Sequence, residues 1–299
     1  MKVLVTGSSG FLGKHLIAKF KELKIPFIPY YKPTLGDLKS EYFGFVLRNA
    51  NVTHIVHLAA KVGGIGANLV QPYDFIYDNL KMGLNIIDYA LKRKVQKFIM
   101  IGTVCSYPSN TPIPFKEESL WDGYPEATNA PYGIAKRTLH EVLNCAYKSH
   151  NLNSTTLNLA NMYGPGDCDD LLTSHVIPAI IKKVREAKEE GSDKLYLWGN
   201  GEPSRDFLYV TDAVDAIVKT LDTPKGPNNG INIGTGVETK IKDVVDKICK
   251  KMNFSPSQII WNQQMPSGQQ RRVLDCTLAE ELLGWKHQIN LEEGLERII

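Results

Sequence analysis

The sequence predicts an α/β protein: a doubly wound parallel sheet with a smaller C-terminal lobe interleaved into it. Two observations carry this. A β-branched run at residues 2–6 is followed at once by a glycine-rich turn and an amphipathic stretch. Strand-length apolar runs then alternate with helical patterns to about residue 165, the signature of repeated βα units.

Residues 2–6, KVLVT, are too short for a helix and apolar enough for a parallel strand buried on both faces. GSSGFLG follows at 7–13, and Leu12, His15, Leu16 and Phe20 then recur at helical spacing. A second strand is expected at 25–31. Further strands are expected at 53–60, 98–104 and 154–160, with helices at 73–91, 131–147 and 174–188. Beyond residue 165 the rhythm loosens to short strands at 194–198 and 231–233 and helices near 211–221 and 239–252. The expected organisation is a Rossmann-type unit over 1–165, to which 205–235 partly returns, and a smaller substrate lobe over 166–299.

Composition excludes several classes. Of 299 residues, 43% are apolar, so a large core is available; 35 Lys+Arg against 32 Asp+Glu leave a net charge of only +3. The basic residues form no dense run, which gives no electrostatic case for nucleic acid or an anionic membrane. No apolar stretch approaches the roughly 18 residues that span a bilayer. MKVLVTG lacks the layout of a signal peptide, and the five cysteines form no CxxC pair and no small disulfide framework. A cytoplasmic protein with reduced thiols and no metal site is the expectation.

Gly7, Gly10 and Gly13 stand in G-x-x-G-x-x-G spacing between a strand and a helix. Glycines there permit a tight turn and close approach of backbone to a pyrophosphate, and the helix N-terminus supplies unpaired N–H groups. A dinucleotide cofactor is therefore expected on Gly7, Ser8, Ser9, Gly10, Phe11, Leu12 and Gly13. The second strand ends in Tyr30, Tyr31 and Lys32, where NAD binding calls for a carboxylate; a lysine suits a 2′-phosphate, so NADP is favoured over NAD.

Tyr132 and Lys136 are four residues apart and share a helix face. An ammonium beside a phenol is expected to lower its pKa. Thr103 lies at the carboxyl end of the 98–104 strand, where ligands sit in open α/β sheets. Cys105, two residues on, points to the same side if the chain is still extended. Ser174 and His175 read as a helix N-cap and first turn, offering an imidazole that can give or take a proton.

Together these residues resemble the extended short-chain dehydrogenase/reductase family. HLAAKVGGI (57–65), ATNAPYGIAK (127–136), NMYGPGD (161–167), SHVIPAIIKK (174–183), WGNGEPSRDFLYV (198–210) and INIGTG (231–236) are similar to its GDP-L-fucose synthase branch. The resemblance implies a homodimeric, NADPH-dependent enzyme that epimerises C3 and C5 of GDP-4-keto-6-deoxy-D-mannose and then reduces C4. It implies that Thr103 and Tyr132 hold the C4 oxygen, with Lys136 tuning Tyr132. Cys105 and His175 would be the acid/base pair for epimerisation. Leu58, Ala59, Ala60, Lys136, Leu159, Asn161, Met162 and His175 would line the cofactor, while Lys183, Trp198, Arg205 and Arg271 would meet the nucleotide sugar. The alternative is a related GDP-4-keto-sugar reductase or epimerase/reductase making another deoxy sugar or a heptose.

Three departures accompany the resemblance. The family's Gly-Ser-Ser-Cys appears as Gly102-Thr103-Val104-Cys105, so threonine stands for serine. Its Lys-Pro-Asp-Gly appears as Met265-Pro266-Ser267-Gly268, losing a cation and a carboxylate. Phe11 stands where a basic residue usually follows the second glycine, leaving NADP preference mainly on Lys32.

Overall fold

The computed structural model describes residues 1–32, 36–40, 42–171, 174–265 and 268–299. The β-branched opening forms β1 (Val3–Thr6), and later apolar runs form β2 (Phe27–Tyr30), β3 (His54–His57), β4 (Lys97–Thr103) and β5 (Ser154–Leu159). With Ile231–Ile233 they make a six-stranded sheet in the order Ile231–Ile233, β5, β4, β3, β1, β2. Every pairing in it is parallel. β1, β3, β4 and β5 are buried along their whole length, as strands covered on both faces must be. The doubly wound α/β class is thus the observed one.

The strand order reverses beside β1, so the connections on the two sides of the reversal cover opposite faces. On one face the Phe11–Glu22 helix buries Leu12, Leu16 and Phe20 beside the Val210–Thr220 helix. On the other, the Pro72–Arg93 and Ala130–His150 helices pack along each other and bury Ile86, Ile87, Leu139 and Leu143. Reversal at β1/β3 opens a crevice at the carboxyl edge of the sheet, where such folds bind ligands.

A third core cluster is separate from these two. It joins the Val176–Glu189, Ile241–Lys251 and Leu291–Glu296 helices to Lys194–Trp198 and its parallel partner Gln258–Asn262. The chain passes between the clusters more than once: Leu274, Ala279, Leu283 and Trp285 pack in the first cluster, beside the Rossmann-type sheet. The Trp285 indole fixes this return by donating to the Asp212 carbonyl at 3.0 Å.

Candidate active site

One cleft of about 810 Å³ runs along the carboxyl edge of the sheet and on to the C-terminal lobe. Its lining brings together most of the sequence-predicted residues. At one end are Gly7, Ser9, Gly10, Phe11, Leu12, Gly13 and Lys32; Leu58, Ala59, Ala60, Leu159, Asn161 and Met162 follow; Thr103, Cys105, Tyr132, Lys136 and His175 lie in the same space; and Lys183, Trp198 and Arg205 complete the far side.

The glycine turn fits a dinucleotide in its own geometry. A Cβ on Gly13 would collide with the Gly7 carbonyl and the Ser8 backbone, so the helix seats directly on the turn. No side chain caps that helix, whose N-cap is Gly10, and its first N–H groups face the cleft end. Ser8 Oγ and Asn161 Oδ1 are buried without a protein hydrogen-bond partner, which suits groups that complete their bonding on a ligand. Ser8 itself lies behind the lining. Lys32 is exposed, and its ammonium pairs with Asp37 at 3.0 Å.

Tyr132 and Lys136 lie on the Ala130–His150 helix, with Lys136 Nζ 5.9 Å from the Tyr132 ring centroid. The expectation that Lys136 lowers the phenol's pKa is corrected here. Burial raises the Tyr132 phenol well above its ordinary value, with Cys105 adding to the rise. Burial also pulls the Lys136 ammonium down to about 8. Desolvation exceeds the attraction between the two groups, so Tyr132 is held as a protonated donor.

The β4 strand ends at Thr103, and the chain turns at once into a 3-10 helix, Val104–Ser106. Cys105 therefore reaches the cleft from a tight turn rather than an extended strand. Thr103 Oγ1 caps that turn by accepting from the Cys105 N–H at 3.2 Å, which leaves its own O–H to donate. The turn docks on the tyrosine helix: Ser106 Oγ donates to the Gly133 carbonyl at 3.1 Å, and Arg137 donates to the Ser106 carbonyl. A Cβ on Gly133 would run into the Cys105 carbonyl.

His175, not Ser174, is the N-cap of the Val176–Glu189 helix, and it makes no side-chain cap bond. Its Nδ1 instead faces Asp167 Oδ2 at 3.4 Å, a contact that orients the ring while leaving it partly exposed. Lys183 donates to the Tyr196 carbonyl at 3.1 Å with its ammonium 5.5 Å from the Trp198 ring, and burial lowers its pKa.

Arg271 and its neighbour differ from expectation. Arg271 stands outside the cleft lining and is paired with Glu238 through two bonds of 2.7 and 2.6 Å. Arg272, which sequence reasoning missed, is buried in the cleft beside Arg205. The short strand Arg271–Arg272 pairs in parallel with Ser204–Arg205, so Arg272 lies opposite Arg205 while Arg271 points to the other face. Burial, and Arg272 after it, pull the Arg205 guanidinium down to about 9; an anion entering beside the pair would relieve that repulsion. Asn129, at the start of the tyrosine helix, is a second lining residue that the sequence did not single out. Pro266 and Ser267 of the altered Met265–Gly268 segment lie outside the described residues.

Among the described residues no cluster of three or more His, Cys, Asp or Glu side chains is placed to hold a metal, and no helix is long and apolar enough to cross a membrane.

The chain is 34% identical over 298 residues to a GDP-L-fucose synthase of Sinorhizobium fredii, covering 99% of this chain and 93% of that protein. It is 32% identical over 301 residues to a GDP-L-colitose synthase of Yersinia pseudotuberculosis, covering 99% and 96%. The structure superposes with a TM-score of 0.87 on a GDP-mannoheptose C4 reductase of Campylobacter jejuni with NADP bound, at 26% identity and covering 99% and 96% of the two chains. The family model for NAD dependent epimerases/dehydratases matches residues 3–234, which hold the glycine turn, the Tyr132–Lys136 pair and Cys105, and the chain belongs to that family.

Proposed function

We propose that the protein is an NADPH-dependent epimerase/reductase that converts GDP-4-keto-6-deoxy-D-mannose to GDP-L-fucose. One observation carries the reading: a single cleft holds both the Tyr132, Lys136 and Thr103 set for reduction and the Cys105 and His175 set for moving protons on carbon. Reduction alone has no use for the second set. The names of the fucose and colitose synthase relatives support a GDP-linked keto sugar as substrate.

A ketone at C4 acidifies the hydrogens at C3 and C5. The Cys105 thiolate takes one of them: the C–H bond breaks, S–H forms, and the electron pair moves onto the C4 oxygen as an enolate. The Tyr132 and Thr103 hydroxyls donate to that oxygen, so one oxyanion site serves both epimerisations and the later reduction. His175, oriented by Asp167, returns a proton to the opposite face of the carbon. When bound, NADPH supplies the hydride that adds to C4. Tyr132 then gives its phenolic proton to the C4 oxygen, a role its raised pKa suits, and the Lys136 ammonium stabilises the phenolate left behind.

The cofactor is assigned to the unit 1–165 with 205–235 returning to it. The resident residues are those of the glycine turn with Lys32, Leu58, Ala59, Ala60, Leu159, Asn161 and Met162. The nucleotide sugar is assigned to the lobe 166–299, where Lys183, Trp198 and Arg205 meet the GDP moiety and Arg205 pairs with diphosphate. A homodimer fits the exposed apolar side chains Leu69, Val70, Tyr73, Tyr77 and Leu84 on two successive helices, and a cytoplasmic location is part of the same reading. Sedimentation at twice the chain mass is the expected result.

The test is nicotinamide absorbance. Adding GDP-4-keto-6-deoxy-D-mannose to protein and NADPH should oxidise the cofactor at once, while GDP-mannose, which has no ketone, should not. Silence with the keto sugar would remove the reading. A product other than GDP-L-fucose would favour the related deoxy-sugar or heptose enzymes.

A further inference from the structure

Arg272 makes a contact that a diphosphate beside Arg205 does not require. Its Nη1 donates to Cys105 Sγ at 3.2 Å. Its Nε donates to Gln269 Oε1 at 2.9 Å. The Gln269 amide cannot turn around, because its Nε2 donates to the carbonyls of Pro108 at 3.3 Å and Ser109 at 2.9 Å. Oε1 is thereby left as the acceptor for Arg272, and the guanidinium plane is fixed at two points with one edge on the sulfur.

The remaining edge, Nη2, is buried with no hydrogen-bond partner, 3.8 Å from the Glu126 carboxylate. Glu126 already accepts from the Thr128 N–H and hydroxyl and from the Asn129 amide. It therefore balances the guanidinium's charge without drawing it off the sulfur. Arg272 is 4% exposed, so its charge acts on Cys105 through little intervening water. Both Arg272 and Gln269 lie beyond residues 3–234, the part of the chain that the family model matches.

We propose that Arg272 is a positioning residue for Cys105: it holds the sulfur at the mouth of the tyrosine site and pairs with the thiolate. The ionisation is simple. The Cys105 S–H bond breaks, its proton goes to solvent, and the pair of electrons left on sulfur faces the guanidinium. The other charged or titratable groups facing the sulfur are Arg205 on the paired strand and Tyr132 on the docked helix, with Glu126 behind Arg272 and with Lys136 and His175 lining the same cleft. Among the described residues Arg272, and none of these, donates a side-chain hydrogen bond to it.

This inference rests on the epimerase reading of Cys105, and the experiment separates the two. Cys105 is alkylated with iodoacetamide over a range of pH, and labelling of its own peptide is followed by mass spectrometry so that exposed Cys145 and Cys168 do not interfere. Arg272→Gln should slow Cys105 labelling at pH 7 by about tenfold and move its pH dependence about one unit toward alkaline. Arg272→Lys, which keeps the charge, should recover most of the rate. Circular dichroism and NADPH binding establish that each variant is folded. A pH profile in folded Arg272→Gln that matches the parent protein would overturn the proposal, as would failure of Arg272→Lys to recover any rate. Deuterium exchange at C3 and C5 is measured separately with Cys105→Ser: unchanged exchange there removes the epimerase reading, whatever the alkylation profile shows.

Discussion

Lys136 Nζ and the Tyr132 ring are one helical turn apart and 5.9 Å from each other, the lysine buried and the tyrosine half-buried at the cleft. The cost of that burial falls on the lysine, whose pKa drops from its ordinary 10.5 to about 8. Between those two values the unfolded chain binds more protons than the folded one. Stability therefore rises with pH across that window, and the burden is complete below it. A depression of this size corresponds to roughly 3 kcal/mol. Lys136→Met should consequently raise the melting temperature at pH 7 by several degrees while removing most keto-sugar reduction. A lower melting temperature would show that the charge is better compensated than its burial implies.

The same lysine should set the alkaline limb of the reaction. As pH rises through about 8, Lys136 loses the charge that stabilises the Tyr132 phenolate, whereas the phenol stays protonated. The rate of reduction, measured as kcat/KM with saturating NADPH, should fall above that pH in the parent protein. A flat profile to pH 10 would assign the proton relay elsewhere.

Gly133 lets the tyrosine helix meet the Cys105 turn, since any Cβ there would strike the Cys105 carbonyl. Gly133→Ala must push the turn away, with a stability loss of about 1–3 kcal/mol expected from overpacking. Deuterium exchange at C3 and C5 should suffer far more than NADPH affinity, which depends on the distant glycine turn. Equal losses of exchange and cofactor binding would mean general unfolding instead.

The two arginine environments give contrasting expectations. Arg205 is buried in the cleft, so Arg205→Gln should raise KM for the GDP-sugar about tenfold or more, as loss of a charge-assisted bond to diphosphate requires. Arg271 is exposed and tied to Glu238, so Arg271→Gln should change KM about twofold at most. Steady-state kinetics on the two variants decide this, and the reverse order would restore Arg271 to the diphosphate.

Much of this was legible in the sequence because it is written in local patterns. KVLVT followed by GSSGFLG specified a strand, turn and helix within a few residues, and Lys194–Trp198 and Ile231–Ile233 appear where their short apolar runs placed them. Tyr132 and Lys136 were readable because helical spacing alone puts them on one face. What stayed hidden depends on contacts distant along the chain. The parity that turns Arg272 rather than Arg271 into the cleft is set by pairing with Ser204–Arg205, and a two-residue strand has no alternation to read. The 3-10 turn at Cys105 depends on docking against Gly133, which stands 28 positions later in the chain. The direction of the Tyr132 shift is not legible in the sequence, because helical spacing shows the pairing with Lys136 and does not show the desolvation of the two groups.

The central claim is that one cleft both moves protons on carbon and reduces the ketone. The most direct measurement is NMR of the product formed from GDP-4-keto-6-deoxy-D-mannose and NADPH in deuterated water. The account predicts GDP-L-fucose carrying deuterium at both C3 and C5, with that labelling lost in Cys105→Ser. A C4-reduced sugar of unchanged C3 and C5 configuration, free of deuterium at both carbons, would contradict it and leave a reductase alone.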